Sequence, residues 1–515
     1  MLTFETILAL LLGATVLAGF ARRLSIPYPS LLALGGVLIA LLPGGPRLEL
    51  PPDLILALFV APVLLDADYD TSLRDLRKNW LAILRLVLFA VGLSTLAAAF
   101  VARLFLPDLS WGAAVALGAL LAPPDAVAAL AVLRQVNPPY RIRMVLEGES
   151  LLNDASALLI YRLAVGTVVA GGFNVGAAIP AFVLVVLGSV AVGWLFAWPV
   201  TRLAQRMEDA PSAAIFQFVM TFSLWLAAER LGLSGVVTIV VFGLTAARRG
   251  PPMPAHLRVP TFAIWESATV VLNVLAFTLI GLQIRPILEP LTGAERLHYA
   301  GGAIAVLGAV IVVRIAWVMT YHALVRLKDR VFGHRSLMLP PTAKGAVVVG
   351  WSGMRGIVTL AAAMALPPDF PHRDFMQLAA FVVVLGTLVA QGFTLRPLLH
   401  LLRLPKDNTV EAELGMAREV VLKAIIAALD RENTPAAHHL RVEYREALNQ
   451  ARLGRDPRSR PDNALRQNAV NVAREAIDDL RSAGAIGDEA YRQVEQELDL
   501  LELSSQPGTP MPVRR

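Results

Sequence analysis

Thirteen apolar stretches recur along residues 4–402, each near the ~20 residues that a helix needs to cross a bilayer. They cover roughly residues 4–21, 28–43, 52–67, 80–102, 111–133, 145–170, 175–201, 211–229, 232–247, 261–283, 300–325, 345–366 and 376–402. Hydrocarbon offers no partner to a backbone N–H or C=O, so a chain built this way has to satisfy its own, as helices. The fold class that follows is an all-α polytopic membrane protein of about 13 transmembrane helices. Composition agrees. The 515 residues are 56% hydrophobic and 17% charged, against about 25% charged in a soluble domain.

Basic residues orient the chain. Taken alternately from the first, six connections hold 18 Lys and Arg, and the other six hold 6. That bias places "ARRL" (Ala21–Leu24) in the cytoplasm, the N-terminus outside and the C-terminus inside. The first window lacks a basic leader and reads as a retained span. Cysteine is absent, which excludes disulfides, thiolate metal sites and a Cys nucleophile. No nucleic-acid motif is present, and the net charge of +6 belongs to the loop arginines.

Residues 1–403 form the membrane domain. Beyond it, residues 404–515 carry 16 Lys and Arg and 19 Asp and Glu. A cytoplasmic helical tail is expected over 404–502, with amphipathic patterns near 411–432, 436–453 and 464–502, and a disordered end over 503–515. The tail has room to bind a regulator, although nothing in its residues names one.

Charges inside the windows are costly and have to face protein or an aqueous cavity. Asp66, Asp125, Glu149, Asp154, Glu266, Arg314 and Arg355 are in this position, whereas Arg162 reads as snorkelling to the interface. Acids on several separate spans point to an ion pathway. In "EGESLLNDASALLIYRL" (Glu147–Leu163), Ser150 and Asp154 stand four residues apart, as do Glu149 and Asn153, so two polar stripes run along one helix. Ser150 and Asp154 offer oxygen ligands to a hard monovalent cation. Glu149 and Asn153 suit structural bonding, with either Arg314 or Arg355 as basic partner; Glu147 reads as the cytoplasmic start of the span.

Two further stretches break helices. In "LLAPPDAVAALAVL" (Leu120–Leu133), Pro123 and Pro124 remove donors just before Asp125. Such a break survives in a membrane where it lines a cavity or is buried in protein, and its freed carbonyls can coordinate ions. "GWSGMRGIVTLAAAMALP" (Gly350–Pro367) sets three glycines around Arg355, seven windows later. That offset fits inverted repeats of windows 1–6 and 8–13.

At these residues the chain resembles the monovalent cation:proton antiporter family of the sodium/proton exchanger type. "EGESLLNDASALLIY" is similar to that family's Glu-Ser-Leu-Leu-Asn-Asp signature. "LFVAPVLLDADY", "LSGVVTIVVFGL", "VLNVLAFTLIGLQI" and "GMRGIVTLAAAMALP" carry the likeness across residues 1–403. The resemblance implies two crossing discontinuous helices, windows 5 and 12, beside a dimerisation domain, and hence a homodimer in the lipid bilayer of the plasma membrane. By position it implies that Asp154 binds cation and proton, with Asn153, Ser150, Asp66, Asp125 and the Pro124 carbonyl around it. It favours Arg314 as the partner of Glu149 in a core ion pair, and makes Arg355 structural or gating. Pro124 stands where the family often has Thr, and Asp66 where it often has Glu, so ion selectivity is the property most exposed to change.

The expected activity is exchange of a monovalent cation, Na+ first and Li+ or K+ as alternatives, for H+ by alternating access. Asn153 is neutral, so one charge for one is expected. No cofactor is implied beyond the transported ions. A channel or uniporter is the rival of another class, though no "TVGYG" filter is present. An aspartyl protease would need a Gly-x-Gly-Asp partner for Tyr69–Asp70, which is missing, so no enzymatic activity is expected.

Overall fold

Helix occupies every one of the thirteen apolar windows in the computed structural model. The structure describes residues 2–24, 26–46, 51–70, 73–133, 138–170, 175–249, 254–333, 342–405, 407–453, 463–483, 485 and 488–505. Among these no strand occurs. Two units are present, Met1–Lys406 and Asp407–Arg515.

The first unit opens with α1 (Leu2–Leu24) and α2 (Tyr28–Leu41). The next helix starts as α3 (Pro52–Ile55), widens into a π-helical turn at Leu56–Val60 and continues as α4 (Ala61–Asp70). Pro62 accounts for the widening, because it has no N–H to return to the preceding turn and its ring crowds that turn. A long α5 (Leu73–Phe105) leads to α6 (Trp111–Leu121) and α7 (Ala126–Leu133), which share one window. Then come α8 (Tyr140–Val169), α9 (Val175–Ala204), α10 (Ala210–Arg230), α11 (Gly235–Arg249), α12 (Ala255–Leu282) and the short α13 (Ile284–Leu288). The 40-residue α14 (Gly293–Phe332) starts at a capping box, in which Thr292 and Glu295 satisfy each other's backbone N–H. Window 12 is again split, into α15 (Ala343–Trp351) and α16 (Ile357–Met364), before α17 (Arg373–Leu402).

Among the described residues six stretches are long and apolar enough to cross a membrane by length and composition alone; they lie in α5, α9, α10, α12–α13, α14 and α17. The rest are shorter, broken or, in α8, interrupted by charge.

Two sets of helices pack mainly among themselves. α5, α6, α8, α14, α15 and α17 form one; α1, α2, α4, α9, α10, α11 and α12 form the other, with α2 resting on α17. Small residues bring these backbones close, because van der Waals contact replaces the hydrophobic effect between helices in lipid. Where α2 meets α12, Gly36 and Gly281 oppose each other. A Cβ on Gly281 would lie 2.1 Å from the Ala33 carbonyl oxygen, and one on Gly36 2.3 Å from that of Thr278. Gly281→Ala is therefore expected to lose about 1–3 kcal/mol by overpacking, seen as a lower unfolding midpoint in detergent. An unchanged midpoint would refute this contact.

The second unit contains α18 (Thr409–Leu429), α19 (Pro435–Arg452), α20 (Asn463–Ser482) and α21 (Asp488–Ser505). α18 packs on α19 through Leu422, Ala447, Leu448 and Ala451, and α20 on α21 through Val470, Ile477 and Leu498. Hydrogen bonds from Lys423 and Arg452 hold the Glu419 carboxyl below the usual carboxylate range. Two expectations are corrected. The pattern over 464–502 is two helices rather than one. Helix also continues through 503–505, part of the stretch expected to be disordered; residues 506–515 lie outside the described residues.

Candidate functional site: a helix crossing beside a polar stripe

Pro123 and Pro124 end α6 after Leu121, and Ser352–Gly356 separate α15 from α16. The two breaks touch, with the Asp125 N–H donating to the Met354 carbonyl at 2.6 Å. Such a crossing leaves carbonyls at helix C-termini and N–H groups at N-termini, with partial charge to match. Arg355 answers the first. Its guanidinium is fully buried, and Nε donates to the Leu121 carbonyl at 3.0 Å and Nη2 to that of Ala122 at 3.5 Å. Nη1 reaches the Gly353 carbonyl, and the backbone N–H of Arg355 donates to Thr387 Oγ1 on α17 at 3.0 Å. A cation thus caps the negative end of α6. Asp125 answers the second. It directly precedes α7, and its carboxylate lies against Gly356, the N-cap residue before α16. A Cβ on Gly356 would fall 1.8 Å from Asp125 Oδ2, so only glycine leaves room.

Glu149 and Arg314 are paired beside this crossing, both buried. Nη1 donates to Oε1 at 2.7 Å and Nη2 to Oε2 at 3.0 Å, a bidentate geometry. Nη2 also donates to the Val349 carbonyl at 3.3 Å, so one guanidinium joins α8, α14 and α15. Gly353 makes space for it, since a Cβ there would lie 2.4 Å from Arg314 Cδ. Asn153 Nδ2 donates to Glu149 Oε1 at 3.3 Å, along the same stripe of α8. Glu147 pairs with Arg143 at 2.7 Å.

Ser150 is half-buried, and Asp154 follows one turn later on α8; the Asp154 side chain lies outside the described residues. Pro124 is buried and Asp125 half-buried in the first helix set, whereas Asp66, also half-buried, stands on α4 in the second set, which touches α8. The structure therefore brings Asp125 to Arg355's break and Asn153 to Glu149 and Arg314, with Asp66 on a separate set. Glu266 lies apart from this cluster, on α12. Its side chain is exposed on the protein surface.

Asp68 escaped the sequence reading. It is fully buried, neither carboxylate oxygen has a hydrogen-bond partner among the described residues, and it packs against Gly243 of α11. Two residues along a helix turn through about 200°, so Asp66 and Asp68 face opposite ways. That rotation was the available signal.

The family model described as sodium/hydrogen exchanger, transmembrane, matches residues 7–401. A Na+/H+ exchanger of Mycobacterium tuberculosis is 30% identical over 98% of this chain and 96% of its own. The sodium, potassium, lithium and rubidium/H+ antiporter of Bacillus subtilis is 26% identical, over 93% of this chain and 74% of that protein. Among solved structures, the sodium proton antiporter MjNhaP1 of Methanocaldococcus jannaschii matches the fold with a TM-score of 0.59 at 18% identity, covering 78% of this chain and 98% of that one.

Proposed function

The chain belongs to the sodium/hydrogen exchanger family, and on that premise we propose how its own residues perform the exchange. It is a membrane-embedded monovalent cation/proton antiporter, a transporter and not an enzyme. Our reading takes Na+ as the first cation, with Li+ and K+ as competitors in the manner of the Bacillus relative's name. The carrying observation is the crossing of two broken helices, electrostatically compensated by Asp125 and Arg355 next to the polar run of α8.

In this reading Asp154 binds either the cation or the proton, and each neutralises it, so they compete. Ser150, Asp66, Asn153 and the Pro124 carbonyl supply further oxygens, Asp125 shapes the field, and Glu149–Arg314 and Arg355 hold the frame. Only the loaded carrier crosses, so inward proton flow drives cation export by alternating access. With Asn153 neutral before Asp154, one charge exchanges for one. Thirteen spans in inverted repeats, a homodimer through a dimerisation domain, N-terminus outside and C-terminus cytoplasmic in the plasma membrane complete the proposal. Sodium and pH homeostasis is the physiological role, no cofactor is required, and the tail is the place for a regulator.

Proteoliposomes loaded with Na+, Li+ or K+ test this directly. An outward cation gradient should acidify the lumen, at a rate set weakly by clamped voltage. Cation flux without proton counterflow would favour a uniporter instead, and a steep voltage dependence would overturn one-for-one exchange.

A further inference from the structure

Arg162 lies on α8 two turns beyond Asp154, and Glu229 in the last turn of α10. Arg162 does not simply snorkel. Its Nη2 donates to both Glu229 carboxylate oxygens, at 2.7 and 2.6 Å, and its Nη1 to the Leu233 carbonyl at 3.2 Å. Glu229 Oε1 accepts in addition the N–H of Gly235, the first residue of α11, at 3.0 Å. One guanidinium therefore ties the helix with the polar stripe to the α10–α11 turn, and so the first helix set to the second.

Each end of the pair is tied to its own helix set. The α10–α11 turn is bolted to α9, because the Ser234 N–H donates to Ser189 Oγ at 2.9 Å in a buried bond. On the other side, the residue next to Arg162 fastens α8 to the broken helix, with Tyr161 Oη donating to the Ala362 carbonyl of α16 at 2.7 Å. The backbone at each end therefore moves with its own set. Alternating access proceeds by rocking one helix bundle against another, and a shift of a few ångströms between these sets separates the charges. The side chains are 44% and 31% exposed, so water can solvate both when they part and the pair opens without stranding a charge.

We infer that the Arg162–Glu229 pair is a strap between the two helix sets that closes in the conformation described here and opens in every exchange cycle. This rests on the antiport reading and assigns to Arg162 a conformational role apart from the ion site.

The chain has no cysteine, so R162C/E229C can be bridged without background labelling. The full chain is reconstituted, treated with a bifunctional thiosulfonate as long as the lost pair, and assayed before and after reduction. Bridging should slow exchange at least about tenfold, with recovery on reduction, while each single-cysteine variant keeps its rate under the same treatment. A bridged form as active as the unbridged one overturns the strap, as does failure of the double variant to bridge. Charge exchange gives an independent check: Arg162→Glu should lower the rate and Glu229→Arg added to it should restore it; no restoration also overturns the strap. A wild type that exchanges no cation for protons defeats the antiport reading and the strap with it, whereas an active wild type with an equally active bridged form defeats the strap alone.

Discussion

Glu149→Ala is expected to destabilise the protein by about 3–5 kcal/mol, the largest loss of stability foreseen for any single change considered. The alanine removes the acceptor of two guanidinium hydrogen bonds, at 2.7 and 3.0 Å, and strands Arg314, which is 1% exposed. Water cannot reach the stranded charge, and its remaining partner among the described residues is the Val349 carbonyl at 3.3 Å. Arg314→Ala should cost a similar amount from the other side. Replacing both at once by apolar residues of like volume should recover most of the loss, because the expense lies in the unpaired charge rather than in the missing bond. Unfolding midpoints in detergent for the two single variants and the double would settle the matter. Equal additivity of the singles would mean that the two residues act separately.

Asp154→Asn should have the opposite profile, an intact fold with no exchange. Asparagine matches aspartate in size and keeps a carbonyl oxygen, but carries no charge to neutralise and no proton to release at working pH. Competition between proton and cation then has no site. Exchange of Na+, Li+ or K+ for protons in everted vesicles should fall at least about a hundredfold, with unfolding midpoint and expression at wild-type level. Exchange that survives would remove Asp154 from its assigned place. A collapse in stability would instead mark it as part of the frame with Glu149.

Hydrocarbon made much of the fold readable in advance. A chain that has to bond its own backbone leaves apolar windows little choice but helix, and Pro123–Pro124 mark a break because proline lacks a donor. The glycines around Arg355 marked the second break for a related reason, since the Asp125 carboxylate and the Arg314 side chain need the space that Gly356 and Gly353 leave. The partner of Glu149 was different. Spacing along α8 established that a cation was needed but treated Arg314 and Arg355 alike; their difference lies in whether a guanidinium meets a carboxylate or the carbonyl end of α6. Asp68 was hidden by its neighbour Asp66, and Arg162 by its long stem, which makes solvent the simpler partner to imagine.

The bond from Arg355 to the Leu121 carbonyl spans 234 residues of chain. A ribosome adding about 5–20 residues per second takes on the order of 10–50 s to deliver that arginine after α6 has entered the membrane. Glu149 waits too, for an arginine 165 residues later. For that interval the first half of the protein sits in the bilayer with an uncapped helix end and an unmatched acid. Biogenesis therefore has a vulnerable period written into the fold. Slow or paused synthesis between residues 149 and 314 lengthens the time for which both groups are without their partners.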